Sequence, residues 1–86
     1  MPSGSEAELD LHGFTVDEAL PELDRFLYEA YIAGFPSVRV IHGKGTGTLR
    51  WVIREQLPKH PLVKSFRPAP QEEGGSGVTI VELADW

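Results

Sequence analysis

From residue 15 to residue 31 the chain repeats apolar side chains at three- and four-residue intervals, at positions 16, 19, 20, 23, 26, 27, 30 and 31. That rhythm is one face of an amphipathic helix. Thr15-Val16-Asp17-Glu18 supplies its start as a capping box, in which the Thr15 hydroxyl accepts from the Glu18 amide and the Glu18 carboxylate reaches back. Gly34-Phe35-Pro36 supplies the stop, a left-handed cap followed by a residue that cannot continue a helix. Pro21 lacks the amide hydrogen that position needs, at a cost of about 3 kcal/mol, and predicts a kink or a loosened first turn. Glu22, Arg25 and Glu29 form the solvated face.

Period-two alternation marks the strands. Leu9-Asp10-Leu11-His12-Gly13 is a short half-buried strand with Leu9 and Leu11 inward and Asp10 and His12 sharing the other face, where the carboxylate can orient the imidazole. Ser37 to Ile41 is a β-branched second strand. A second helix, Leu49 to Leu57, aligns Leu49, Val52, Ile53, Gln56 and Leu57 on one stripe and ends at Pro58; Trp51 belongs to the core or, as the second reading, is an exposed stacking platform for a base. Residues 62–67 and 78–83 are two further strands forming an antiparallel pair, joined by a loop from Pro68 to Gly77 that is a plain flexible connection or, alternatively, brings Gly74-Gly75-Ser76-Gly77 towards the ligand. His60 sits in a turn with no chemical role. Residues 1–7 form a flexible tail or linker ahead of one domain at 8–86.

A strand, a helix and a strand make a βαβ unit, whose right-handed crossover places the two strands parallel. As neighbours, they carry His12-Gly13 and His42-Gly43 to the same carboxyl edge, where open α/β sheets bind ligands. The segment after the second strand is His42-Gly43-Lys44-Gly45-Thr46-Gly47, with a helix behind it. Alternate glycines let backbone approach a ligand closely, and the helix start adds amide donors and a positive dipole end. Lys44 adds charge, and Arg50 stands in the first helical turn, where a cation is unfavourable unless an anion is near; Arg54 follows one turn on. This corner is suited to phosphate.

Composition narrows the partner. Eighty-six residues suffice for one small core, and the absence of cysteine removes disulfides and thiolate chemistry, in keeping with a reducing compartment. No apolar stretch is long enough for a bilayer and no targeting pattern is visible, so no membrane partner is expected and the cytoplasm is the expected location. The net charge of −5 argues against nucleic acid until it is divided along the chain. Residues 1–38 hold eight acidic groups and one basic, residues 39–67 seven basic and one acidic, and residues 68–86 four acidic and none basic. The basic third contains the glycine loop and second helix, where a phosphate backbone would lie.

A dinucleotide site would need G-x-G-x-x-G, but Thr48 stands where the third glycine belongs and Arg67 where an acid is needed; no NTPase phosphate loop is present either. The two motifs Leu9-Asp10-Leu11-His12-Gly13 and Ile41-His42-Gly43-Lys44-Gly45-Thr46-Gly47-Thr48-Leu49-Arg50, in this order and spacing, resemble those of the small MutS-related (Smr) domain. The ending Gly74-Gly75-Ser76-Gly77-Val78-Thr79-Ile80-Val81-Glu82-Leu83 is similar to the Smr domain at the C-terminus of the second bacterial MutS paralogue. The match runs from about Glu8 to Leu83.

The resemblance implies an α/β (α+β) fold: a two-layer βαβαββ sandwich with a four-stranded mixed sheet and two helices, similar to the C-terminal domain of translation initiation factor three. It also implies a nicking endonuclease of low sequence specificity acting on DNA, on branched or recombination intermediates or single-stranded regions, within a larger MutS-like parent, a dimeric ATPase. RNA cleavage at stalled ribosomes and a non-catalytic nucleic-acid-binding module are the alternatives. On these residues the expected scheme has His12, oriented by Asp10, as base or acid, and His42 as its counterpart or a phosphate ligand. Gly43, Lys44, Gly45, Thr46, Gly47, Arg50 and Arg54 contact the phosphates. No dedicated metal cage is expected; the competing route is one divalent ion, magnesium or manganese, on Asp10, His12 and His42.

Overall fold

The computed structural model describes residues 6–45 and 47–85. Strands β1 (Glu6–Asp10), β2 (Ser37–Ile41), β3 (Val63–Pro68) and β4 (Val78–Leu83) form one sheet in the order β1-β2-β4-β3, with helices α1 (Val16–Ala33) and α2 (Thr48–Gln56) between them in the chain. β1 and β2 are parallel, as the crossover requires, and β4 runs antiparallel to both β2 and β3. This is the expected mixed four-stranded sheet with two helices.

Both helices lie on one face of the sheet. Val38 and Val40 of β2 and Val81 and Leu83 of β4 alternate inward to meet Leu23 and Leu27 of α1 and Ile53 of α2, all buried. Each such side chain contributes about 1.5–3 kcal/mol by leaving water. Among the described residues the opposite face has no α-helix; it carries the ion pairs Arg39–Glu8 (3.0 Å) and Arg67–Glu82 (2.8 Å), and a smaller apolar cluster of Ala69, Val78 and Ile80.

The helix-start signals hold: Thr15 accepts from the Glu18 amide at 3.2 Å, Glu18 accepts from the Thr15 amide at 2.9 Å, and Gly34 is the left-handed C-cap. α1 runs unbroken through Pro21, whose position near the helix start leaves the disturbed carbonyl, that of Asp17, on an exposed residue that water can reach. β1 differs from expectation. It starts at Glu6 and pairs Glu6 and Ala7, assigned to the tail on sequence grounds, with Ser37 and Val38; residues 1–5 lie outside the described residues. It ends at Asp10 because the Asp10 carboxylate takes the His12 amide (3.0 Å), turning the chain out of the ladder.

The β3–β4 connection is more ordered than the plain loop, the first of its two expected forms. It winds into two short 3-10 turns, Gln71–Glu73 and Gly75–Gly77, with Gly75 and Gly77 buried. The Arg39 guanidinium donates to the Glu73 carbonyl (2.6 Å), and the Gly77 carbonyl accepts from the amides of His42 (3.1 Å) and Gly43 (3.0 Å). The segment thereby fastens the glycine loop to β4.

Candidate active site

Parallel pairing of β1 with β2 sets Asp10 opposite Ile41, and the Leu11 amide donates to the Ile41 carbonyl at 2.7 Å. The chain after β1 therefore meets the chain after β2 at one sheet edge. The contact is close: a Cβ placed on Gly43 would lie 3.3 Å from the His12 Cβ, and Gly43 has φ +79°, so a side chain there is both crowded and strained.

Asp10 and His12 form the exposed part of the site. His12 Nδ1 lies 2.6 Å from Asp10 Oδ1, and the two side chains are 69% and 52% exposed. The side-chain bond to His12, then the bond from its backbone amide, hold the Asp10 carboxyl below its ordinary value. A carboxylate only accepts, so Nδ1 carries the hydrogen and Nε2 of the neutral ring is left with its lone pair for proton exchange.

Gly13, the residue after His12, opens onto a small cavity of about 150 Å³ also lined by Phe14, His42, Gly43, Lys44 and Arg50; Asp10 and His12 are not in its lining. It is below the roughly 300 Å³ of a drug-sized pocket and suits a single phosphate group. Gly47, at φ +85°, is the N-cap of α2 and has no side chain to cap the helix amides. Lys44 is exposed and, among the described residues, forms no ion pair. The Gly43 amide, expected to face a phosphate, instead donates to Gly77 as described above. Thr46 lies outside the described residues.

His42 has a different environment from His12. It is 5% exposed, with Nδ1 2.9 Å from the Gly43 carbonyl and Nε2 2.9 Å from the Thr79 hydroxyl. A carbonyl only accepts, so Nδ1 donates to it. Thr79 accepts from Arg54 Nε at 3.1 Å and has one hydrogen to give, which completes the chain by donating to His42 Nε2. Burial lowers the His42 pKa, the bond to the Gly43 carbonyl partly offsets that, and the charges of Arg54 and Arg50 lower it further. The ring is neutral and both nitrogens are engaged inside the protein. Arg54, whose guanidinium is likewise disfavoured by burial and by Arg50, spends its Nε beneath the loop and leaves Nη2 buried without a partner.

Of the three residues considered for a divalent ion, His42 has both ring nitrogens engaged, by Gly43 and Thr79, whereas His12 uses only Nδ1 towards Asp10 and keeps the Nε2 lone pair. Among the described residues no three His, Cys, Asp or Glu side chains come together to hold a metal.

Of the two readings of Trp51 the structure takes the exposed one rather than the favoured core: it is 64% exposed, because it stands two residues, about 200° of helical rotation, from the buried Ile53. Thr79, fully buried at 0% exposure, was not singled out; its signal is a hydroxyl in the inward series Thr79, Val81, Leu83. His60, in contrast, is structural as expected: Nε2 donates to Asp24 (2.8 Å) and Nδ1 accepts from the Leu62 amide (3.1 Å).

A family model described as the Smr domain matches residues 9–84. Proteins named endonuclease MutS2 are similar over most of this chain: that of Pelotomaculum thermopropionicum is 57% identical over 77 residues (90% of this chain, 10% of that protein) and that of Thermomicrobium roseum 58% over 78 residues (91% and 10%). The chain thus spans about a tenth of the length of these relatives. Among solved structures, the Smr domain of Thermus thermophilus MutS2 superposes with a TM-score of 0.90 at 52% identity, covering 92% of this chain and 99% of that one. YdaL, a stand-alone small MutS-related protein from Escherichia coli, gives 0.88 at 28% identity, covering 96% and 70%. With two motifs meeting at one sheet edge and a family match across nearly its whole length, this chain belongs to the Smr domain family.

Proposed function

We propose that this chain is the nuclease domain of a larger MutS2-like protein and nicks nucleic acid, DNA with branched or single-stranded regions first. The observation that carries the reading is the exposed Asp10–His12 pair followed directly by Gly13, which lines a phosphate-sized cavity at the α2 N-terminus. Phosphodiester hydrolysis needs a proton acceptor for the attacking water and a field that stabilises charge on the phosphoryl oxygens. His12 Nε2 is the acceptor, with Asp10 fixing the tautomer and stabilising the imidazolium that forms. Lys44, Arg50, Thr46 and the loop amides beyond Gly43 hold the phosphate. Water oxygen bonds to phosphorus, its proton passes to His12, the bond from phosphorus to one sugar oxygen breaks, and that oxygen takes a proton from water. His42 acts by position: its Nδ1–H fixes the Gly43 carbonyl, and so the loop, from below.

Nicking of supercoiled plasmid tests this. The purified chain should cut in the presence of chelator, and His12→Ala should lower the rate by at least about 100-fold while retaining binding. Nicking that stops with chelator and returns with magnesium or manganese would replace the metal-free scheme. Binding without cutting by the unaltered chain would make it a non-catalytic module, and cleavage of RNA alone would reassign the substrate.

A further inference from the structure

The second cavity on the basic face belongs to no part of that scheme. It is a shallow hollow of about 690 Å³ lined by Gly47, Thr48, Arg50, Trp51 and Arg54. Gly47 and Arg50 also line the phosphate-sized cavity, so the two are continuous across the first turn of α2. None of the residues lining the hollow is acidic, and Arg50 and Arg54, one turn apart, flank the exposed indole of Trp51. The hollow therefore combines an accessible aromatic face with positive charge, next to the place where a phosphate would be cut.

We infer that Trp51 is a stacking platform for one unpaired nucleotide, its base on the indole and its phosphate on Arg50 at the mouth of the glycine corner. This rests on the nucleic-acid reading above and specifies its substrate. A base that stacks on an aromatic side chain must first leave its own stack. In continuous duplex that costs unpairing and unstacking, whereas a single strand, gap or branch point presents the base at little cost. The charge of the hollow favours a polyanion over an apolar protein surface or a second copy of this positively lined helix. Exposure of Trp51 means that its replacement removes no core contact, so binding and folding are separable.

The test uses the chain with Trp86→Phe, which makes Trp51 the only indole. Fluorescence is titrated with a ten-nucleotide oligo-dT and with a hairpin duplex of matched phosphate number at one ionic strength. The expected results are quenching by the single strand and little by the duplex. Trp51→Ala should weaken single-strand affinity about tenfold or more with duplex affinity unchanged, and Trp51→Phe should retain most of it. Equal effects on both ligands, or single-strand binding without quenching, overturn the platform while plasmid nicking by the same protein leaves the nuclease reading standing. Loss of all oligonucleotide binding together with nicking in the unaltered chain overturns both. A change of sedimentation with Trp51→Ala at unchanged affinity assigns the indole to a contact between copies and overturns the platform.

Discussion

His12 and His42 follow neighbouring parallel strands, yet one is exposed with a free nitrogen and the other is buried with none. The difference lies in what each ring touches: a surface carboxylate in one case, a carbonyl and a buried hydroxyl in the other. It has a consequence for acid stability. The His42 pKa is lowered from its ordinary 6.5 by burial, so in acid the unfolded chain takes up that proton before the folded chain does. Stability from this residue is complete above about pH 6.5 and falls as pH drops from there towards the folded pKa. Asp10 and Glu82, held below their ordinary values by His12 and Arg67 respectively, extend the same trend at lower pH, where their carboxylates protonate. The urea midpoint should therefore be flat above neutrality and decline through mildly acid pH, with the His42 ring resonances titrating below pH 6.5. A midpoint rising as the pH is lowered from 7 to 5.5, or a ring titrating above 6.5, would contradict the buried network.

At the scale of elements, the site is a junction of three turns, two that end strands and one that leads into a strand. β1 ends because Asp10 captures an amide; β2 ends in a left-handed glycine; the turn before β4 supplies the Gly77 carbonyl that holds the second of these in place. Gly43 is the point where all three meet. Gly43→Ala adds a Cβ 3.3 Å from that of His12 at φ +79°, and should cost about 1–2 kcal/mol in unfolding free energy from the left-handed conformation alone. Nicking should fall by more than stability explains, since the shift is between the imidazole and the phosphate corner; equal activity per folded molecule would show that their spacing is not critical. The turns were only partly legible beforehand. The capping box, the left-handed stop of α1 and β4 are short-range patterns, whereas the Asp10 turn depends on the His12 amide leaving the ladder for the Asp10 carboxylate, which alternation of apolar and polar residues does not show.

For the molecule as a whole, charge is sorted by position in the chain and then by fold. The acidic groups of α1 sit on its outer face, where Glu22 and Glu29 pair with Arg25, while Lys44 and Arg50 line the small cavity at the glycine loop and the start of α2. Binding should accordingly depend on salt despite a net charge of −5. Lys44→Ala should weaken affinity for all sequences alike and reduce the slope of log affinity against log salt by about one; affinity indifferent to salt would defeat the electrostatic account. Sequence alone determined the helices and strands, the parallel β1–β2 pair and the meeting of the two motifs, because capping, periodicity and crossover handedness are local or topological rules. It also located the basic third of the chain. Tertiary structure alone decided that His42 is buried with both ring nitrogens engaged, since its partner Thr79 is 37 residues away and Arg54 reaches that hydroxyl across 25. It also decided that Trp51 faces water, because a nine-residue helix with several apolar positions can turn more than one of them inward, and only packing against the sheet selects which.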